Sequence, residues 1–109
     1  MQIQYDANAS ALVVSLGGEI DHHSAAPLRT EIDAAIYEHV PRTLILDFSE
    51  VTFMDSSGIG LIMGRYKILQ PLGGEILLLN PAPHINRVLR LAGMERLAKI
   101  QICPKEVVQ

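Results

Sequence analysis

The sequence predicts an α/β fold, a mixed and mostly parallel sheet that opens with an N-terminal hairpin and is packed with helices. Two short alternating segments, "MQIQY" and "ALVVSL", begin the chain, and after them apolar strand-like runs alternate with segments of helical periodicity. Connections between parallel strands are right-handed in nearly all proteins. We therefore expect the order β-β-α-β-α-β-α-β in one domain spanning residues 1–109, a length that suits a single core.

The hairpin and the first helix follow from turn and spacing signals. Asn8 and Ser10, within "DANAS", supply the turn chemistry between the first two strands. A polar loop, "GGEIDHHS", then leads to a helix for which Ser24 is the expected N-cap, with Pro27 tolerated in the first turn. The apolar face of this helix recurs at helical spacing: Leu28, Ile32, Ala35, Ile36 and His39.

The middle of the chain predicts a central strand and a second helix. "TLILDF" is a continuous apolar run, typical of a strand covered on both faces. The next apolar stripe has helical spacing, and Pro71 with the pair Gly73-Gly74 should end that helix. The stripe consists of Ile59, Ile62, Met63, Tyr66 and Leu69.

The last third predicts a strand, a helix and a strand. "EILLL" is a second buried strand, and "LAKIQIC" is a short final one. Between them Ile85, Val88, Leu89 and Ala92 form one helical stripe. Gly93 lies where a helix C-cap favours a positive φ.

Charge and composition exclude several classes of function. The net charge is -3 with a pI near 5.7 and scattered cations, which argues against nucleic-acid binding. No apolar run reaches the length of a membrane span, and the N-terminus lacks the features of a signal peptide. Cys103 is the single cysteine, so it has no internal disulfide partner, which fits the cytoplasm and excludes a cysteine-built metal site. We expect no membrane contact, no metal and no cofactor.

The segment Asp55-Ser56-Ser57-Gly58 precedes the second helical stripe directly. One of its side chains should cap the helix, which is worth about 1 kcal/mol. Three capping candidates followed by Gly58 and Gly60, each costing about 1 kcal/mol in a helix, indicate a purpose beyond helix stability. A phosphate on such a serine would be tolerated by the helix dipole while spoiling a partner surface fitted to the neutral form.

Gly60 and Gly64 lie four residues apart and therefore share one side of the second helix. The flat strip that they leave suits either close packing of the helix on the sheet or a groove for a partner. The spacing alone does not choose between these two hypotheses.

Three segments together resemble a known family: "GGEIDHHSA", "LILDFSEVTFMDSSGIGLIMGRYK" and "LGGEILLLNPAPHINRVLRLAGM". They are similar to the bacterial anti-anti-sigma factors of the STAS domain family, and "IDHHSA" favours the sporulation branch. The resemblance implies a STAS-like fold and partner switching, in which the unphosphorylated antagonist binds an anti-sigma factor and releases the sigma factor. It implies that this anti-sigma factor, of the anti-sigma F type, is a serine protein kinase whose phosphorylation of the antagonist a serine phosphatase reverses.

The family's functional positions carry over to this sequence residue by residue. The phosphorylated serine matches Ser56, with Ser57 as the runner-up. The expected partner-binding residues are Asp21, His22, His23, Asp55, Ser57, Gly58, Gly60 and Gly64. The resemblance implies a regulatory protein without catalysis of its own.

Two enzymatic or nucleotide-dependent alternatives fit the residues less well. A serine hydrolase could use Ser56 or Ser57 with an acid and His22 or His23, but the sequence lacks the G-x-S-x-G elbow. Adjacent loop histidines should point apart, and no second ligand completes a metal site. A dinucleotide site needs G-x-G-x-x-G, whereas the third glycine here comes one residue late, and the P-loop lysine is missing.

The remaining alternative is a receiver-like domain that accepts phosphate on Asp47, which follows "LIL" at the end of the expected central strand. Receivers also hold magnesium with two acids after the first strand. The nearest acids here, Glu19 and Asp21, lie beyond two glycines. We expect Asp47 to bond to the next loop instead.

Overall fold

The computed structural model describes residues 1–103 and contains, in these residues, five strands and three α-helices in the predicted order. The strands are β1 (Gln2–Asp6), β2 (Ala11–Ile20), β3 (Thr43–Met54), β4 (Glu75–Leu79) and β5 (Lys99–Gln101). The helices are α1 (His22–His39), α2 (Ser56–Leu69) and α3 (Pro83–Leu91), and short 3₁₀ turns at Gln70–Leu72 and Met94–Arg96 follow α2 and α3. The predicted fold class is confirmed.

The strands form one mixed sheet in the order β1-β2-β3-β4-β5, with β1 antiparallel to β2 and the other pairs parallel. Because every crossover leads to the next strand in the same direction, right-handed connections place all three helices on one face. The apolar residues of that face meet in register, with Leu12 beside Leu44 and Leu44 beside Ile76. These residues are buried in the core that the helices cover.

The opposite face of the sheet is less covered than the sequence predicts. Ile45, Leu77 and Leu79 project from this face, remain partly exposed and do not belong to the core. The expectation that β3 and β4 are covered on both faces is therefore wrong. The apolar run predicted two-sided burial, but three crossovers in one direction leave this face without a helix among residues 1–103.

The predicted polar loop after β2 is wrong, because its first half extends the sheet and its last residues begin α1. β2 continues to Ile20, which pairs with Met54 at the end of β3, and Gly17 pairs with Glu50. The register shifts twice along this ladder, between Ser15 and Gly17 and again after Gly18, whose φ is 66°. These irregularities interrupt the alternation of apolar and polar residues, so the strand extension is hidden from a search for regular periodicity.

Asp21, and not Ser24, is the N-cap of α1. Its Oδ1 accepts the backbone N–H groups of His23 at 3.0 Å and of Ser24 at 2.9 Å. The Ser24 hydroxyl oxygen accepts the Asp21 N–H at 2.9 Å, which completes a reciprocal capping box. The helix therefore begins at His22, so both histidines lie in its first turn and not in a loop.

The expected ends of the other two helices are confirmed. Gly73 follows the turn after α2 with φ 77°, and Gly93 follows α3 with φ 78°. Both values lie in the left-handed region that glycine adopts at little cost. The reversal at each glycine returns the chain to the sheet, so that β4 and β5 can add in parallel.

Candidate functional site: the start of the second helix

The start of α2 is capped by a carboxylate and exposes a serine. Asp55 has an extended backbone, and its Oδ1 accepts the Ser57 N–H at 2.8 Å, which is the bond of an N-cap. Ser56 is the first helical residue and is exposed. Among the hydrogen bonds within residues 1–103, none uses the Ser56 hydroxyl, so the cap leaves that hydroxyl available to solvent and to a partner.

The cap is fixed to the end of the sheet. The Asp55 N–H donates to the Ile20 carbonyl at 3.2 Å, and the neighbouring Met54 pairs with Ile20 in the β2–β3 ladder. The Gly58 N–H donates to the Asp55 carbonyl at 3.0 Å. Both the residue before Ser56 and the first helical turn are thus held by backbone bonds, which gives the serine a defined position.

One side of α2 forms a continuous exposed surface that begins at the serine. At about 100° per residue, positions 56, 60, 63 and 67 fall on one line along the helix, and all four are exposed in the structure. We call this line the α2 ridge: Ser56, Gly60, Met63 and Lys67. Met63 is 40% exposed, so its expected place in the buried stripe is wrong; the helix turns it toward solvent beside Gly60.

The glycines of α2 divide into one packing residue and two surface residues. A Cβ at Gly58 would collide with the Met54 side chain and touch Ile20 at 3.5 Å, so Gly58 lets α2 approach β3. A Cβ at Gly60 or Gly64 would meet nothing within 4 Å. Close packing on the sheet therefore does not explain these two glycines, and Gly58 does not lie on the surface where the other expected partner residues lie.

The start of α1 adds a second polar group near this end of the sheet. Backbone hydrogen bonds from Ser24 and His23, the first of these being the larger cause, hold the pKa of Asp21 below its ordinary value of 3.8. The Ser24 hydroxyl also lies 2.9 Å from the Glu19 carbonyl, to which it can donate. His22 and His23 are both exposed, with ring centroids 6.0 Å apart.

A cleft of about 440 Å³ separates the first turns of α1 and α2. Its wall on the α1 side includes His22 and Arg29, and its wall on the α2 side includes Ser57 and Gly60. The structure thus brings together the N-terminal ends of both helices, on which several of the expected partner-binding residues lie. Ser57 is half-buried and faces this cleft, whereas Ser56 is exposed.

Two residues near the site were missed in the sequence. Phe53 is 47% exposed one strand position before Met54, and the paired residue on β2 is Glu19. Arg65 is only 4% exposed, and its Nε lies 2.7 Å from Asp33 Oδ1 on α1. The two groups form an ion pair, but the Nε–H does not point at the oxygen as a hydrogen bond requires. Burial lowers the pKa of Arg65, and the Asp33 charge opposes that shift.

The spacing of the buried residues along α2 indicates that Arg65 lies on the buried side of the helix. Gly58, Leu61, Ile62, Arg65 and Leu69 form the buried side of α2, so the arginine occupies a core position that only a paired charge tolerates. The Arg65 Nη1 also donates to the Leu61 carbonyl at 3.3 Å. The pair joins α2 to α1 beyond the cleft between their first turns.

The structure does not support the receiver-like alternative. Asp47 lies in the middle of β3 and its Oδ1 accepts the N–H and the hydroxyl of Ser49 at 2.9 and 2.6 Å, so the expected bond to a following loop is wrong. Ser15 pairs with Asp47 and Glu19 with Phe53, which puts Glu19 between about 13 and 20 Å away along the sheet. In residues 1–103 no group of three or more His, Cys, Asp or Glu side chains is arranged to hold a metal ion.

The hydrolase alternative gains no geometric support either. His22 and Ser57 line the same cleft, but no hydrogen bond within the described part of the chain joins them or holds the His22 ring. A catalytic histidine is oriented by a third group, and none is present around this ring.

None of the described helices is long and apolar enough to cross a bilayer.

Comparison with known proteins relates this chain to regulators of sigma factors. The chain is 35% identical over 100 residues to an anti-sigma F factor antagonist from Paenibacillus polymyxa, covering 92% of this chain and 86% of the relative. It superposes with a TM-score of 0.81 on the anti-sigma factor antagonist SpoIIAA in its unphosphorylated form, at 33% identity over 95% of this chain and 88% of the other. The Bacillus cell fate determinant SpoIIAA in the phosphorylated form gives 0.73 at the same identity, over 95% and 91% of the two chains.

The match to a family covers almost all of the sequence. Residues 2–106 match the STAS domain, and the five-stranded mixed sheet with three helices on one face agrees with the solved relatives. The alternative of a receiver domain finds no counterpart among these relatives, which are antagonists of anti-sigma factors. The chain belongs to the STAS domain family.

Proposed function

We propose that this protein is an anti-sigma factor antagonist whose activity is set by phosphate on Ser56. In its unphosphorylated form it binds an anti-sigma factor of the anti-sigma F type and releases the sigma factor. The observation that carries the proposal is the exposed Ser56 hydroxyl, which stands at the first position of α2 while Asp55 performs the capping. The relatives named above support the assignment, since they carry this name or exist in both phosphorylation states.

The position of Ser56 permits a charge switch without refolding. A phosphate there would face the unpaired N–H groups and the positive end of the α2 dipole, so the folded state would accept the dianion. A partner surface fitted to the neutral hydroxyl would instead have to bury an unmatched charge, which costs about 2 to 5 kcal/mol. That range corresponds to roughly thirtyfold to several thousandfold in affinity.

Ser56 is a better acceptor than Ser57 on geometric grounds. Ser57 is half-buried at the wall of the cleft, and its N–H is the donor of the Asp55 cap. A kinase that approached Ser57 would have to enter a cleft that the first turn of α1 also lines. Ser57 remains the runner-up, and a phosphate there would meet the Arg29 side of the same cleft.

The proposed docking surface combines the α2 ridge with the start of α1. Met63 on the ridge and Phe53 near the end of β3 supply exposed apolar contact area. Gly60 leaves the ridge low enough for close backbone approach. From the start of α1 the surface takes Asp21, His22 and His23, and from α2 it takes Asp55, Ser57 and Gly64. Gly58 contributes by packing α2 on β3 and not by direct contact.

The wider cycle follows the partner-switching scheme. The anti-sigma factor acts as the serine kinase, and a serine phosphatase restores the binding form. The protein itself has no catalytic role, works in the cytoplasm during sporulation and forms one domain over residues 1–109, a range that the family match over residues 2–106 supports. ATP enters with the kinase, so the antagonist needs no cofactor.

The test incubates the protein with its anti-sigma factor and ATP and maps the product by mass spectrometry. We expect one phosphate on Ser56, its loss in Ser56→Ala, and its retention in the matched variant Ser57→Ala. Phosphate on Ser57 or Asp47 in the unmodified protein would contradict the assignment of Ser56. A failure of the unphosphorylated protein to bind any anti-sigma factor would contradict the function itself.

A further inference from the structure

The exposed face of α3 carries charges that the proposed docking surface does not use. Ile85 and Leu89 of this helix are buried in the core. At about 100° per residue, the residues at positions 84, 87, 90 and 91 fall within one arc on the other side, and all four are exposed. We call this set the α3 strip: His84, Arg87, Arg90 and Leu91.

The strip lies on a positively charged part of an acidic protein. Residues 83–103 contain four Lys or Arg and one Asp or Glu, whereas residues 1–82 contain four and ten. The single acid, Glu95, lies with Arg96 in the 3₁₀ turn that follows α3. Neither Arg87 nor Arg90 forms an ion pair with a carboxylate among residues 1–103. Two arginine charges on α3 are therefore left without a carboxylate partner in the described chain.

The strip is held in place before any partner arrives. The Arg90 Nε donates to Asn86 Oδ1 at 3.1 Å, which fixes one guanidinium along the helix. The His84 Nε2 lies 2.8 Å from the Thr52 carbonyl and donates to it, so the start of α3 is tied to β3. A group that is already ordered loses less entropy on binding, which favours docking at this face.

Leu91 supplies an apolar contact next to these charges. It is 83% exposed, more than any other large hydrophobic residue in the described chain. One helical turn separates Leu91 from Arg87, so both side chains can meet the same partner surface. Arginine beside an apolar anchor is typical of protein interfaces, where arginine is enriched and lysine is depleted.

We propose that the α3 strip is a second docking surface and that its partner is an acidic protein segment with an apolar residue for Leu91. Guanidinium groups bind carboxylates with two parallel hydrogen bonds. Two arginines without a carboxylate partner therefore suit a pair of acidic side chains. Anionic membranes fit less well, because clusters of roughly four to eight cations bind them, and nucleic acids fit less well, because their affinity comes from contacts to several phosphates. The strip holds only two arginines. This inference adds a binding site to the proposed function and does not depend on Ser56.

The test is an amide chemical-shift titration with a synthetic helical peptide of glutamates and leucines. A second peptide with glutamine at each glutamate position is the probe control. We expect the glutamate peptide to shift amides of α3, and the double variant Arg87→Glu/Arg90→Glu to weaken its binding by about tenfold or more. Leu91→Ser should weaken it by about threefold, a modest loss of apolar contact.

The matched protein control is Arg42→Glu/Lys99→Glu, which changes the net charge equally at two exposed positions outside both the strip and the proposed docking surface. At about 0.15 M salt, where distant charges are screened, we expect its Kd to stay within about twofold of the unmodified protein. Equal weakening in both double variants, or shifts confined to other elements, would overturn the proposal. Tighter binding to phosphatidylserine vesicles or to a DNA duplex than to the glutamate peptide would overturn it as well.

Discussion

An alanine substitution at Gly60 tests whether this side of α2 is a free surface or is packed against other residues. A Cβ at Gly60 or Gly64 meets no atom within 4 Å, so the methyl group fits without displacing a neighbour. Glycine inside a helix costs about 1 kcal/mol relative to alanine, because its backbone loses more freedom on folding. We therefore expect Gly60→Ala and Gly64→Ala each to raise the free energy of unfolding by about 0.5 to 1 kcal/mol.

Gly58→Ala is the matched control within the same helix. Its Cβ would collide with the Met54 side chain, which is itself 5% exposed and part of the core. Overpacking of this kind costs about 1 to 3 kcal/mol, and the gain in helix propensity offsets about 1 kcal/mol of it. The net expectation is a loss of about 1 kcal/mol, opposite in sign to the change at Gly60.

Urea unfolding monitored by circular dichroism measures the free energy of unfolding of these variants. With a slope of about 1 to 1.5 kcal/mol per molar urea, the midpoint should rise by about 0.5 M for Gly60→Ala and fall by a similar amount for Gly58→Ala. A lower midpoint for Gly60→Ala would show that α2 packs closely at that glycine, which would refute the reasoning that the α2 ridge is a free surface.

Five further substitutions test three local interactions. Asp33→Ala leaves the Arg65 cation buried without a partner and should lower the free energy of unfolding by about 2 to 3 kcal/mol. Arg65→Met keeps the apolar stem and leaves Asp33 partly solvated, so its cost should stay near 1 kcal/mol; equal costs in urea unfolding would contradict the pair. Asp55→Ala removes the α2 cap and should cost about 1 kcal/mol, whereas Ser56→Ala should change the midpoint little. Because the folded state lowers the pKa of Asp21 below 3.8, its contribution to stability is present above about pH 4 and is lost as the pH falls through the lowered pKa; Asp21→Asn should therefore be destabilising at neutral pH and nearly neutral in acid, and a constant difference across pH would contradict the cap.

The order of elements and most helix ends were predictable because they depend on local signals. Gly73 and Gly93 both have the positive φ expected after a helix. Asp55-Ser56-Ser57 was correctly placed at a helix start, although the sequence did not decide which side chain caps. Several neighbouring side chains can cap the same helix, and only the geometry shows that the carboxylate of Asp55 accepts the Ser57 N–H.

The errors arose where long-range structure decides the outcome. The strand extension from Gly17 to Ile20 forms because β3 continues beside it, and the register shifts there conceal the pattern. The exposure of Met63 depends on how α2 is rotated against α1, a helix distant in sequence whose Asp33 pairs with Arg65. Helical spacing gives the period of an apolar face but not its width.

In the proposed switch, a phosphate on Ser56 removes partner binding and leaves the fold unchanged. The most direct measurement is calorimetric titration of the anti-sigma factor with the unmodified protein and with a sample fully phosphorylated on Ser56, whose circular dichroism and urea midpoint are recorded in parallel. We expect a Kd at least about thirtyfold weaker for the phosphorylated sample, with an unchanged spectrum and midpoint. Equal affinity of the two samples, or lost affinity accompanied by unfolding, would contradict it.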